Sequence, residues 1–230
     1  PYCINNDTVH MLHSDDHGET WSPSTDITAD VKRPEWGHSW YATGPTHGIQ
    51  LSSGRLVIPC DHTINKERRS HVFYSDDHGK TWQLGGLLGL DTNECGVVEL
   101  ADGGLLINMR SYRGKNQRTI AYSDDGGETW GPVTDEPQLI EPVCQGSIHR
   151  VSTEANGGRN RILFSNPRSK KRNNVSVQLS YDEGQTWPVA KPLFTGPGAY
   201  SDLAVTPDGT ILCLYERGPN SAYETLTLAR

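Results

Sequence analysis

Apolar and polar positions alternate along the chain in short segments. His71-Val72-Phe73-Tyr74, Thr119-Ile120-Ala121-Tyr122 and Val175-Ser176-Val177-Gln178-Leu179 set one face of each segment apart from the other. Period-two patterning of this kind is the signature of a β-strand with one buried face. Compact apolar runs at 56–58, 96–100, 105–109, 161–164 and 210–215 predict further strands. No stretch longer than about ten residues carries a 3.6-residue period, so almost no helix is expected. Gly131-Pro132 and Gly196-Pro197-Gly198 punctuate the pattern and predict turns.

One eight-residue motif, S-x-D-x-G-x-T-W, recurs at 14–21, 75–82, 123–130 and 180–187. The Ser-to-Ser spacings are 75 − 14 = 61, 123 − 75 = 48 and 180 − 123 = 57 residues. This period exceeds that of a helical solenoid and suits four strands with their loops, the unit of a propeller blade. The motif reads as a hairpin clasp between a third and a fourth strand. Its Asp folds back onto nearby backbone N–H groups, its Gly supplies a left-handed backbone, and its Trp packs under the turn. Asp16, Asp77, Asp125 and Asp182 are therefore expected to be folding elements. A calcium loop would need acidic ligands at alternate positions, a Glu at the twelfth and flanking helices, and none is visible. The chain opens a dozen residues before the first clasp and ends inside another third strand. About four blades are thus expected, in one unit over 1–230, with an upstream segment completing the ring.

Composition narrows the functional classes. Lys and Arg total 21 against 28 Asp and Glu, a formal net charge of −7. With basic residues scattered apart from Lys170-Lys171-Arg172, a nucleic-acid partner is not expected. No window approaches an apolar membrane span, and neither a basic n-region nor an apolar h-region stands at Pro1, so neither a membrane span nor an intact signal peptide is expected in these residues. Cys3, Cys60, Cys95, Cys144 and Cys213 form no metal-ligand spacing and are expected as buried small hydrophobes. His13 and His17 are four apart, but in a turn they share no helical face. No metal or cofactor is expected. Sequons at Asn6 and Asn174 would matter only in a secreted eukaryotic protein.

The clasp is the Asp box, and the segments between the boxes resemble the sialidases, or neuraminidases, of the bacterial and animal type. They are Thr92-Asn93-Glu94-Cys95, Val97-Val98-Glu99-Leu100, Asn108-Met109-Arg110, Cys144-Gln145-Gly146-Ser147, Ser165-Asn166-Pro167, Arg172, Ala199-Tyr200-Ser201-Asp202-Leu203 and Leu214-Tyr215-Glu216. They stand in the family's order over nearly the whole chain. The resemblance implies an all-β, six-bladed β-propeller, present here as about four blades. It also implies a retaining exo-α-sialidase that removes terminal sialic acid from glycoproteins, gangliosides and oligosaccharides. Tyr200 would be the nucleophile and Glu94 its base, an exception to the two-carboxylate rule of glycosidases. Arg110 and Arg172 match two of the family's three arginines, which grip the substrate carboxylate. Gln145, Asp61, His62 and Trp40, with Trp36 and Tyr41 nearby, fall where the family contacts the sugar or its leaving group.

The repeat register supports these positions independently. Glu94, Gln145 and Tyr200 follow their boxes' Trp by 94 − 82 = 12, 145 − 130 = 15 and 200 − 187 = 13 residues. All three therefore enter the first strand of successive blades, and innermost strands surround the propeller axis. Read singly, Tyr200 would be a core or edge residue and Arg172 part of a solvated loop, with Arg168 as an alternative. For Trp36, Trp40, Tyr41, Asp61 and His62, core packing competes evenly with ligand contact, and Glu99 reads as a strand residue or as a partner to the site. The family's first arginine and its acid/base Asp match nothing here, so the 230 residues alone are expected to show little or no turnover. A noncatalytic glycan-binding propeller and an Asp-box hydrolase of neutral polysaccharides are the competing readings. Secreted, periplasmic or lysosomal placement is favoured over cytosolic.

Overall fold

The computed structural model describes residues 7–36, 40–156 and 158–230, so Cys3 and Asn6 lie outside it. Among the described residues, helix is confined to one turn of α-helix, α1 (Thr28–Val31), and two 3-10 turns. The strands form successive antiparallel blades. The first keeps a two-stranded ladder, β1 (His10–Met11) with β2 (Thr25–Asp26). The second contains β3 (Trp40–Thr43), β4 (Ile49–Gln50), β5 (Leu56–Ile64), β6 (Glu67–Ser75) and β7 (Gln83–Leu87). The third is β8 (Thr92–Glu99), β9 (Leu105–Ser111), β10 (Gln117–Ser123) and β11 (Thr134–Ile140). Then come β12 (Ser147–Ser152), β13 (Arg161–Pro167) and β14 (Asn173–Ser180), followed by β15 (Val189–Val205), β16 (Ile211–Arg217) and β17 (Thr225–Ala229).

The turn expected at 196–198 is instead extended chain. β15 closes one blade by pairing with β14, runs on, and opens the next by pairing with β16. At the changeover a Cβ on Gly198 would come within 2.5 Å of Val175 Cγ2 and 3.0 Å of the Glu216 carbonyl, so the crossing needs a glycine for close approach and not for a turn.

Each box links two consecutive antiparallel strands, β1 to β2, β6 to β7, β10 to β11 and β14 to β15, and all four share one hydrogen-bond set. In the second, Ser75 Oγ donates to Asp77 Oδ1 at 2.8 Å and accepts from Gly79 N at 2.8 Å. Thr81 donates from its N–H to Asp77 Oδ1 at 2.8 Å and from its hydroxyl to Oδ2 at 2.7 Å. The backbone and then the side-chain bond from Thr81 hold Asp77 near a pKa of about 2. The left-handed backbone involves two consecutive residues, since His17, His78, Gly126 and Glu183 take positive φ together with the following glycine. Each Trp ring lies against its turn, but burial depends on the neighbouring blade: Trp187 is 6% exposed and Trp21 59%.

Apolar faces of adjacent blades bury one another. Val57 and Val72 of the second blade meet Leu105, Ile107 and Met109 of the third, and Val98 and Leu106 of the third meet Ile148, Ile162 and Phe164. Arg55 staples two boxes by pairing with Asp76 at 2.7 Å and Glu128 at 3.0 Å. At the axis, Asp202 on β15 accepts Ser147 Oγ at 2.7 Å and meets His47 Nδ1 at 3.0 Å. Cys60, Cys95, Cys144 and Cys213 are buried free thiols, as expected.

Candidate active site

Innermost strands from different blades bring together side chains far apart in sequence. Glu94, near the start of β8, and Tyr200, within β15, meet in a hydrogen bond of 2.5 Å from the phenol Oη to Glu94 Oε1. Arg110 near the end of β9 completes the cluster. Its Nη1 donates to Glu94 Oε2 at 2.8 Å and to Tyr200 Oη at 3.3 Å, and its Nη2 to Tyr112 Oη at 2.7 Å. Burial, then the bond to Glu94 and its charge, raise the Tyr200 pKa and keep the phenol protonated. For Arg110, burial works against the charge, and Glu94 outweighs it and holds the pKa above the usual guanidinium value.

The backbone around Tyr200 is pinned from both sides. Its N–H donates to Glu216 Oε2 at 3.0 Å. The amide of Gln145 donates to the Ser201 carbonyl at 2.8 Å and accepts from Ser201 N at 3.0 Å. Gln145 is thus 2% exposed with both ends of its amide engaged, and it holds the strand that carries Tyr200.

Arg172 approaches Tyr200 from another blade, with its guanidinium carbon 5.6 Å from the phenol ring centroid. It is held by Tyr223 Oη at 2.6 Å and by the Val143 carbonyl at 3.4 Å. Val143 has a left-handed φ of 54°, costly for a β-branched residue. The loop keeps that shape because Glu141, fully buried and paired with Arg118 at 3.0 Å, accepts the N–H groups of Ser111 and Cys144. Arg168 instead donates to Gln178 at 2.9 Å, so Arg172 is the arginine that reaches the site.

Asp61 and His62 are neighbours on β5 and face opposite ways, as strand residues must. Asp61 Oδ1 accepts Trp40 Nε1 at 3.2 Å and Asn93 Nδ2 at 2.5 Å, and it borders the cleft. Burial, then the nearby charge of Glu94, raise its carboxyl to a pKa of about 7. His62 does not line the cleft. It is buried on the other face, stacked 4.1 Å from Trp36, with Nδ1 3.0 Å from His71 Nδ1. Burial lowers its pKa to about 4, so it remains a neutral core residue. Trp36 and Tyr41 belong to that same core. Glu99 is also accounted for structurally, accepting the N–H and hydroxyl of Ser52.

A cleft of about 350 Å³ opens over Glu94, Tyr200, Arg110, Asp61 and Trp40, a size suited to one small ligand. Arg68, Tyr112, Asn93 and Tyr223 join the site without having been singled out in the sequence. A larger hollow of about 450 Å³ lies by the far end of β8, but there Glu99 is engaged by Ser52 and Arg150 by Glu183.

The fold agrees with the comparison to known proteins. The family described as BNR repeat-like domain matches residues 4–213. The chain belongs to that family, the sialidases with Asp-box repeats. A sialidase of Micromonospora viridifaciens is 40% identical over 96% of this chain and 35% of its own length. A sialidase of Bacteroides fragilis is 36% identical over 90% of the chain and 39% of its own. Among solved structures, the Hadza microbial sialidase Hz136 superposes with a TM-score of 0.84 at 32% identity, covering 97% of this chain and 44% of that one. The chain thus spans under half the length of these relatives, and the blades described above are propeller blades.

Proposed function

We propose that this chain carries the nucleophilic half of a retaining exo-α-sialidase site, acting on terminal α-linked sialic acids of glycoproteins, gangliosides and oligosaccharides. The 2.5 Å Tyr200–Glu94 bond in a cleft flanked by arginines is the observation that carries this reading. Sialic acid bears a carboxylate on its anomeric carbon. A carboxylate nucleophile would meet that charge with repulsion, whereas a neutral phenol does not. Because Glu94 and burial hold Tyr200 protonated, its proton must pass to Glu94 Oε1 as the phenol oxygen bonds to the anomeric carbon. The glycosidic bond breaks in the same step, and the family resemblance assigns protonation of the leaving oxygen to an upstream Asp. Water then attacks the anomeric carbon of the glycosyl-tyrosine and gives its proton to that Asp, while Glu94 returns its proton to the departing Tyr200 oxygen, and two displacements give retention. Arg110 and Arg172 grip the substrate carboxylate.

The test uses the full-length protein and a fluorogenic sialoside. Tyr200→Phe and Glu94→Gln are each expected to lower kcat by about 100-fold or more. Arg172→Ala is expected to weaken binding of a dehydrated sialic acid analogue by about tenfold or more. Absence of turnover in the wild type, with retained glycan binding, would favour a noncatalytic glycan-binding propeller instead.

A further inference from the structure

Trp40, Thr63 and Arg68 lie side by side across three strands. Trp40 on β3 pairs directly with Thr63 on β5, and Thr63 pairs with Arg68 on β6. Directly paired residues of antiparallel strands project to the same face. All three therefore share the face that carries Asp61 and borders the cleft. Tyr112 closes the row from the next blade, its ring centroid 4.3 Å from the Arg68 guanidinium carbon.

Arg68 differs from Arg110, the other arginine that lines the cleft. Arg110 pairs with Glu94, whereas Arg68 has no carboxylate within ion-pairing distance among the described residues. Asp61, the acid on its own face, accepts from Trp40 and Asn93 instead. The flat guanidinium is half-buried and fixed against Tyr112, so little side-chain freedom remains to be lost on binding. Beside it Trp40 offers a ring 53% exposed, its indole N–H anchored on Asp61. An aromatic plate beside a preoriented, unpaired guanidinium suits a sugar that carries an anionic group.

We infer that Trp40, Thr63 and Arg68 form a specificity subsite that takes a second anionic group of the substrate, a carboxylate or a sulfate ester, beyond the carboxylate gripped by Arg110 and Arg172. The inference rests on the sialoside reading of the neighbouring site. The second anion has two sources: the leaving-group sugar, or the exocyclic chain of the sialic acid itself.

Two substrate pairs separate the sources in the full-length protein. One pair compares sialic acid linked to another sialic acid with sialic acid linked to galactose. The other compares an 8-O-sulfated sialoside with its unsubstituted counterpart. The wild type is expected to favour the doubly anionic member of one pair, and the favoured pair names the source. Arg68→Gln is expected to reduce that kcat/KM ratio about tenfold, mainly through KM, while Arg68→Lys retains part of it. As a check that needs no variant, rising salt should shrink the wild-type ratio. A ratio that Arg68→Gln and salt leave unchanged in both pairs would overturn the subsite, since a purely structural Arg68 would affect both members of a pair alike. Failure of the wild type to cleave any of the four sialosides would contradict the sialidase reading itself.

Discussion

At the scale of single residues, the site depends on which face of a strand a side chain takes. Tyr200 and Glu94 were legible because box register alone places them on inner strands. Asp61 and His62 were assigned together, although the period of two puts adjacent strand residues on opposite faces; that rule could have separated them. Arg68 was illegible for another reason. It sits in Lys66-Glu67-Arg68-Arg69, which reads as a solvated hairpin, and only its pairing with Thr63 turns it toward the cleft. The Asp61 carboxyl gives a pH prediction. Its folded pKa of about 7 lies above the usual 3.8. Below that usual value the carboxyl is protonated in both states and costs nothing. As pH rises toward 7 the unfolded chain ionises first, stability falls, and the loss levels off above 7. Asp61→Asn keeps an acceptor for Trp40 and Asn93 but cannot ionise. Its stability relative to wild type should therefore rise between pH 4 and pH 8, by a few kcal/mol, in urea unfolding at both pH values. An equal difference at both would show that Asp61 carries no such cost.

Among elements, the Asp box was the most legible, since its Ser, Asp, Gly and Thr each make the same bonds in every copy. The second left-handed residue before the glycine was not legible, because the four copies fill that slot with different residues, His17, His78, Gly126 and Glu183. Nor could the sequence reveal that β15 passes from one blade into the next, because Gly196-Pro197-Gly198 carries the composition of a turn. The box makes a direct prediction. Ser123 is 3% exposed, and its hydroxyl donates to Asp125 at 2.8 Å and accepts from Gly127 N at 2.9 Å. Ser123→Ala leaves that buried N–H without its partner and should cost about 1–3 kcal/mol. At roughly 2–4 °C per kcal/mol for a domain of this size, the melting temperature should fall by several degrees in calorimetry. An unchanged melting temperature would mean that the clasp does not contribute to stability.

For the whole molecule, the repeated boxes and the family segments make the propeller readable in the sequence, whereas the packing between blades is not. Arg55 and the buried Arg118–Glu141 pair lie in no motif and join segments through space. Net charge misled only in the mean. The chain is at −7, yet Arg68, Arg110 and Arg172 gather around one cleft, and salt screens the distant surface acids beyond about 8 Å. The most direct test of that cleft's chemistry is to trap its intermediate. A 2,3-difluorinated sialic acid donor, whose fluorine at C3 slows the second displacement, should leave a glycosyl adduct on the full-length protein. Peptide mapping by mass spectrometry should place the adduct on Tyr200, and Tyr200→Phe should abolish it. An adduct on Glu94 or on another residue, or turnover of sialosides with no covalent species, would contradict a tyrosine nucleophile held by Glu94 and Arg110.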